Sequence, residues 1–107
     1  MIEVTEDRKQ RKQRVVISGK LTYAEVSEVH TRLQEVCVPK ARLELDLDKV
    51  TGIDLAGYQL LLSLGRTIRE RKLKFTVNPG SCRERLVKLG GFAGLPQPFA
   101  EADGWQE

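Results

Sequence analysis

Leu43-Glu44-Leu45-Asp46-Leu47-Asp48-Lys49-Val50-Thr51-Gly52-Ile53-Asp54-Leu55-Ala56-Gly57-Tyr58-Gln59-Leu60-Leu61-Leu62 decides the fold. Leu43, Leu45 and Leu47 recur at every second position with acids between them, the period of a strand that buries one face. The acids Glu44 and Asp46 fall on its other face, which is therefore partly open or flanks a binding surface near the sheet edge. A tight connection follows. From Asp54 the apolar residues run on through Leu64 and Ile68, which predicts a helix to about Arg71. Asp54 suits the start of that helix, because its carboxylate can accept first-turn N–H groups and its charge opposes the positive end of the helix dipole.

Upstream, Ile2–Thr5 and Arg14–Ser18 alternate as two short strands, and the charged segment between them predicts a hairpin. Gly19 breaks the second run. Thr22 and Glu25 have the spacing of a capping box, and Val26, Val29, Leu33 and Val36 or Cys37 form one helical stripe ending near Pro39. His30 lies at the edge of that stripe and reads as a boundary residue rather than a ligand. Downstream, Leu73–Val77 alternates as a strand. Asn78-Pro79-Gly80-Ser81 is a turn ending in an N-cap, and Arg83–Leu89 is a short helix stopped by Gly90-Gly91. The tail, residues 96–107, carries Phe99 and Trp105 with Pro96 and Pro98 against regular structure; it either packs across the core or frays.

The resulting order is β-β-α-β-α-β-α. Such alternation makes an α/β layered domain, a mixed and mostly parallel sheet of about four strands packed by helices, with an antiparallel edge. A chain of 107 residues with 40% hydrophobic and 31% charged composition is expected to form a single domain spanning 1–107. No apolar run approaches the roughly 20 residues that cross a bilayer, and the N-terminus lacks the pattern of a secretory signal, so the expected location is cytoplasmic.

This succession resembles the STAS domain family, the fold of bacterial anti-sigma factor antagonists. The likeness rests on the Asp54-Leu55-Ala56-Gly57 turn behind a hydrophobic strand, and on Asn78–Ser81 followed by Arg85–Phe92, which resembles the family's last helix. In the family that turn commonly reads Asp-Ser-Ser-Gly, and its first serine is the phosphoacceptor of a switch. The acceptor position here is Leu55, so no phosphorylation is expected at the family site; Thr51 and Ser63 are the nearest hydroxyls. The resemblance implies a non-catalytic module that binds a kinase-like anti-sigma factor or related regulator through Asp54, Leu55, Ala56, Gly57 and Tyr58. Gly57 permits close backbone approach. Tyr58 reads either as an interface anchor or as a half-buried aromatic at the core edge. An alternative resemblance is to the small cytoplasmic STAS subunit of a phospholipid-transport ABC system, whose turn tends to read Asp-Thr-Ala-Gly and whose partner is a transporter ATPase. A nucleotide-binding module is a third reading, with no phosphate loop to support it.

Other chemistry is thin. No Walker A, GxGxxG, HExxH or GxSxG motif occurs, so no enzyme activity and no cofactor is expected. Asp46 and Asp48 share a strand face by period two, as a cation or acid–base pair or, more plainly, as two solvated acids. Cys37 and Cys82 form no CxxC pair and, with one histidine, no zinc site; no metal is expected. Cys37 reads as a small core residue. Cys82 stands near a helix start, where a thiol pKa can fall. The net charge of +3 originates in Arg8, Lys9, Arg11, Lys12 and Arg14. That cluster reads as a solvated hairpin turn, with phosphates or an anionic membrane surface as the alternative, and no aromatic is interleaved to stack on bases.

Overall fold

The computed structural model describes residues 2–7, 12–37, 42–99, 102, 104 and 105. Four strands form the main sheet: β1 (Ile2–Asp7), β2 (Lys12–Ile17), β4 (Arg42–Asp46) and β6 (Lys74–Asn78), in the order β1-β2-β4-β6. β1 and β2 are the expected antiparallel pair, while β2, β4 and β6 run parallel. The Arg8–Arg11 part of the basic cluster lies outside the described residues.

Two strands were not foreseen. β3 (Gly19–Leu21) and β5 (Val50–Ile53) pair in parallel as a small second sheet, where the sequence pattern suggested a break and a connection. β3 follows β2 after Ser18, and β5 follows β4 across a turn at Asp48-Lys49. Gly19, with φ of 78°, redirects the chain out of β2, and its N–H donates to the Lys49 carbonyl at 3.0 Å. This redirection requires the left-handed conformation that glycine adopts without penalty.

Three helices complete the fold: α1 (Val26–Val36), α2 (Leu55–Glu70) and α3 (Cys82–Ala93). Val29, Leu33 and Val36 of α1 are buried, as are Tyr58, Leu61, Leu64 and Ile68 of α2. They join Val15, Ile17, Leu43, Leu45 and Val77 from one face of the main sheet in a single core. The other sheet face is open. Glu44 and Asp46 lie there because they pair with neighbouring β2: Lys12 Nζ meets Glu44 at 2.6 Å and Arg14 meets Asp46 at 3.1 Å.

Two helix boundaries differ from the sequence reading. Thr22 is not the cap of α1, which begins at Val26; the Glu25 carboxylate accepts the Thr22 N–H at 3.2 Å, and the Thr22 hydroxyl donates to it at 2.5 Å. Only the glutamate half of a capping box forms, closing a turn ahead of the helix. α3 does not stop at Gly90-Gly91 but continues to Ala93 and ends on Gly94 with φ of 70°. Gly90 is there for packing: a Cβ would collide with the Tyr58 hydroxyl and lie 2.6 Å from the Gln97 side-chain nitrogen.

The described part of the tail packs rather than frays. Phe99 is buried, its ring 5.2 Å from Phe75. Gly104 lies against the Val77 carbonyl, and Trp105 sits under the Arg83 guanidinium at 5.6 Å. The tail thereby covers the outer edge of β6, a strand edge otherwise open to pairing with another chain.

Candidate partner-binding site

The β5–α2 turn is built around Asp54. Its backbone is extended (φ −111°, ψ −176°), and its carboxylate accepts the Gly57 N–H at 2.9 Å, the expected N-cap. The second carboxylate oxygen accepts the Tyr23 N–H at 2.9 Å. One side chain thus ties the β5–α2 turn to the β3–α1 loop. These two N–H groups, Gly57 first, hold the Asp54 carboxyl below its ordinary pKa.

The five residues read as a site divide into two sets. Leu55 is 45% exposed at the first position of α2, which agrees with the register assumed from sequence. Ala56 is half-buried. Gly57 is buried, because the helix start presses on β3 so closely that a Cβ would overlap the Leu21 carbonyl. Tyr58 is fully buried, and its hydroxyl donates to the Pro96 carbonyl at 2.5 Å. Of its two readings, neither the interface anchor nor the half-buried edge survives: the ring falls on the same helix face as Leu61 and points inward. Burial also raises its pKa.

An aromatic the sequence reading passed over stands beside this turn instead. Tyr23 is 81% exposed, and its own N–H is the group held by Asp54. Its signal was weak, an aromatic just before a helix and off the apolar stripe. Thr51 and Ser63 are both exposed. Ser63 lies eight residues beyond Leu55, about 12 Å along the helix axis.

The remaining candidates have structural work. Asp46 accepts the backbone N–H of Asp48 at 2.9 Å as well as Arg14. Asp48 accepts the Ser81 N–H at 3.1 Å, and the Ser81 hydroxyl donates to the Asp48 carbonyl at 3.3 Å. The two acids diverge, one into β2 and one into the start of α3, and do not converge on a cation or a proton. Among the described residues no three His, Cys, Asp or Glu side chains gather as a metal site. Cys37 is buried as expected, and burial raises its thiol. Cys82 is buried too, and desolvation pushes its thiol up to about 11, the reverse of the lowering considered from its place near a helix start. His30 is exposed on α1.

Comparison with known proteins places this geometry. The family model described as "Mlab, STAS domain" matches residues 4–97. No curated protein matches. Among solved structures, the unphosphorylated anti-sigma factor antagonist SpoIIAA is similar, with 14% identity, 85% of this chain and 84% of that one covered, and a TM-score of 0.63. An antisigma-factor antagonist STAS domain from Rhodobacter sphaeroides has 16% identity, coverage of 72% and 83%, and a TM-score of 0.58. A sulfate transporter family protein from Wolinella succinogenes has 17% identity, coverage of 94% and 80%, and a TM-score of 0.61. These likenesses concern the fold.

Proposed function

Because the chain belongs to the STAS domain family, we propose that it is a non-catalytic cytoplasmic interaction module of bacterial signalling. It binds a kinase-like anti-sigma factor or related regulatory protein through the turn that starts at Asp54. The observation that carries this reading is Leu55, an exposed apolar side chain at the family's phosphoacceptor position, on a turn fixed at both ends of one carboxylate. The contact surface is Leu55 with Tyr23 beside it, while Gly57 and Tyr58 shape the turn from within.

Regulation differs from the family's usual mode. A phosphoserine at this position would place about −1.5 to −2 charges at the docking surface. Leu55 has no hydroxyl to accept that group, so binding is set by partner supply, by competition or through another site such as the exposed Thr51 or Ser63.

The experiment is to immobilise the protein and its Leu55→Asp variant, pass lysate of the source organism over both, and identify what is retained. Retention of a kinase-like regulator by the parent and its loss from the variant supports the reading, since the aspartate puts an unpaired charge in an apolar contact. Equal retention by both removes this turn from the interface. A second reading is favoured by Ala56-Gly57, which matches the turn of the phospholipid-transport STAS subunit; retention of a transporter ATPase selects it.

A further inference from the structure

At the opposite end of the parallel strands from Asp54, three cations stand side by side. Lys12, Arg42 and Lys74 are the first residues of β2, β4 and β6, paired in register as Lys12↔Arg42 and Arg42↔Lys74 on the open sheet face. Neighbouring strands lie about 4.8 Å apart, so Arg42 is flanked by a like charge on each side. Directly opposed like charges destabilise a sheet.

The acids nearby offset this only in part. Glu44 pairs with Lys12 at 2.6 Å, and Asp46 is taken by Arg14 one row further along. Asp7 of β1 continues the row beyond Lys12 by register, on the side away from Arg42. Arg42 and Lys74 are exposed, with no acidic partner among the described residues. Lys72 is also exposed and leaves α2 in the left-handed conformation (φ 53°) two residues before Lys74. The row borders an open depression of about 420 Å³ lined by Lys12, Arg42, Glu44, Lys74, Phe75 and Thr76.

We propose that this end of the open sheet face docks on an anionic phospholipid surface. A membrane plane offers many phosphates to a shallow row of cations and needs no groove. Nucleic acid fits less well: the aromatic in the depression, Phe75, is half-buried against Phe99 and offers no free face for a base. The row lies about 13 Å along β4 from the strand ends that lead to the Asp54 turn, so lipid and a protein partner can be held together.

The test is sedimentation of the full chain with vesicles of phosphatidylcholine alone and of phosphatidylcholine with phosphatidylglycerol, beside an Arg42→Gln/Lys74→Gln variant. At about 1 kcal/mol per cation near an anionic surface, the double variant is expected to bind phosphatidylglycerol vesicles roughly thirtyfold more weakly. Binding by the parent should also fall as salt is raised. Both side chains are exposed, so the variant folds, and relief of the like-charge pair should leave its melting temperature equal or higher. Failure of the parent to bind phosphatidylglycerol vesicles overturns the proposal. So does equal binding to both vesicle types, or equal binding by parent and variant. Tight binding of duplex DNA without vesicle binding reassigns the row to nucleic acid. The lysate experiment on Leu55 reads independently of all these outcomes.

Discussion

Two helices, α2 and α3, begin at the same end of the sheet, and each is anchored by an aspartate, yet the two junctions are built differently. At α2 the aspartate is the helix's own N-cap: Asp54 accepts the N–H three residues on and then reaches out to Tyr23. At α3 the N-cap residue Ser81 makes no side-chain cap, and Asp48, from the β4–β5 turn, accepts its N–H instead. The first design fixes a helix start and leaves Leu55 outside it, exposed. The second uses the carboxylate to lock loop to loop, with Gly80 pressed against Asp48. A locally capped junction can carry a recognition residue, whereas a junction capped from elsewhere is committed to holding the fold.

The sharpest way to break this comparison is at the two glycines. At Gly57 a new Cβ would strike the Leu21 backbone, which cannot move without shifting β3. Gly57→Ala should therefore cost about 3 kcal/mol, near the upper end of typical overpacking penalties. At Gly80 the obstacle is the Asp48 side chain, its Cβ included, which gives way only if the exposed β4–β5 turn shifts, and a φ of 53° adds left-handed strain. Gly80→Ala should cost about 1–2 kcal/mol, the usual left-handed penalty. Melting curves would check the order, at about 4–8 °C per kcal/mol for a domain near this size. Equal losses would mean that β3 yields to the new Cβ and that the close approach at Gly57 costs no more than the left-handed backbone at Gly80.

The same contrast explains what was legible in the sequence. The cap at Asp54 is local, its partner Gly57 three residues away, and the strand around Leu43–Leu47 alternates over several positions; both could be read directly. The bond from Ser81 to Asp48 joins residues 33 apart in sequence, and no local pattern announces it. β3 and β5 are too short to show a period, and each exists because the other lies beside it. Gly90-Gly91 carried a misleading local signal. Two glycines normally end a helix, but the Tyr58 hydroxyl and Gln97 need the space at Gly90, so tertiary packing overrode propensity. Burial of Tyr58 was readable, since it falls three residues before Leu61 on the same helical face. The exposure of Tyr23 was not, because its orientation follows from a bond to Asp54 across 31 residues.

Removing the aspartates gives smaller effects. Asp54→Ala frees two N–H groups and should cost about 1 kcal/mol, typical of a lost N-cap and kept low by solvent exposure. Asp48→Ala loses one backbone partner and should cost about half as much, since the freed N–H lies at an exposed surface where water replaces the lost acceptor. Asp54→Asn should fall between parent and Asp54→Ala, because one oxygen can still accept from Gly57 while the amide opposes the Tyr23 N–H. The pH dependence has a definite sign. The folded carboxyl of Asp54 titrates below its unfolded value, so its contribution is complete above the ordinary aspartate range near pH 3.9 and is lost as pH falls through the depressed value. The stability gap between parent and Asp54→Ala should hold from neutral pH to about pH 4 and narrow below it. A gap independent of pH would mean that the anion does not supply the cap.

The smallest stability change belongs to the residue with the largest proposed role. Leu55 is half in solvent, so its replacement forfeits little burial, and an aspartate at the first position of α2 adds negative charge where the helix dipole favours it. Leu55→Asp should therefore melt within about 0.5 kcal/mol of the parent, the range of ordinary surface substitutions, while losing the protein partner. That separation of folding from binding is what a locally capped junction predicts. An aspartate at the second position of the other helix, Arg83→Asp, would remove a cation that stacks on Trp105 and should lower the melting temperature instead. If Leu55→Asp also melted early, Leu55 would be packing rather than recognition, and the two junctions would differ only in which aspartate holds them.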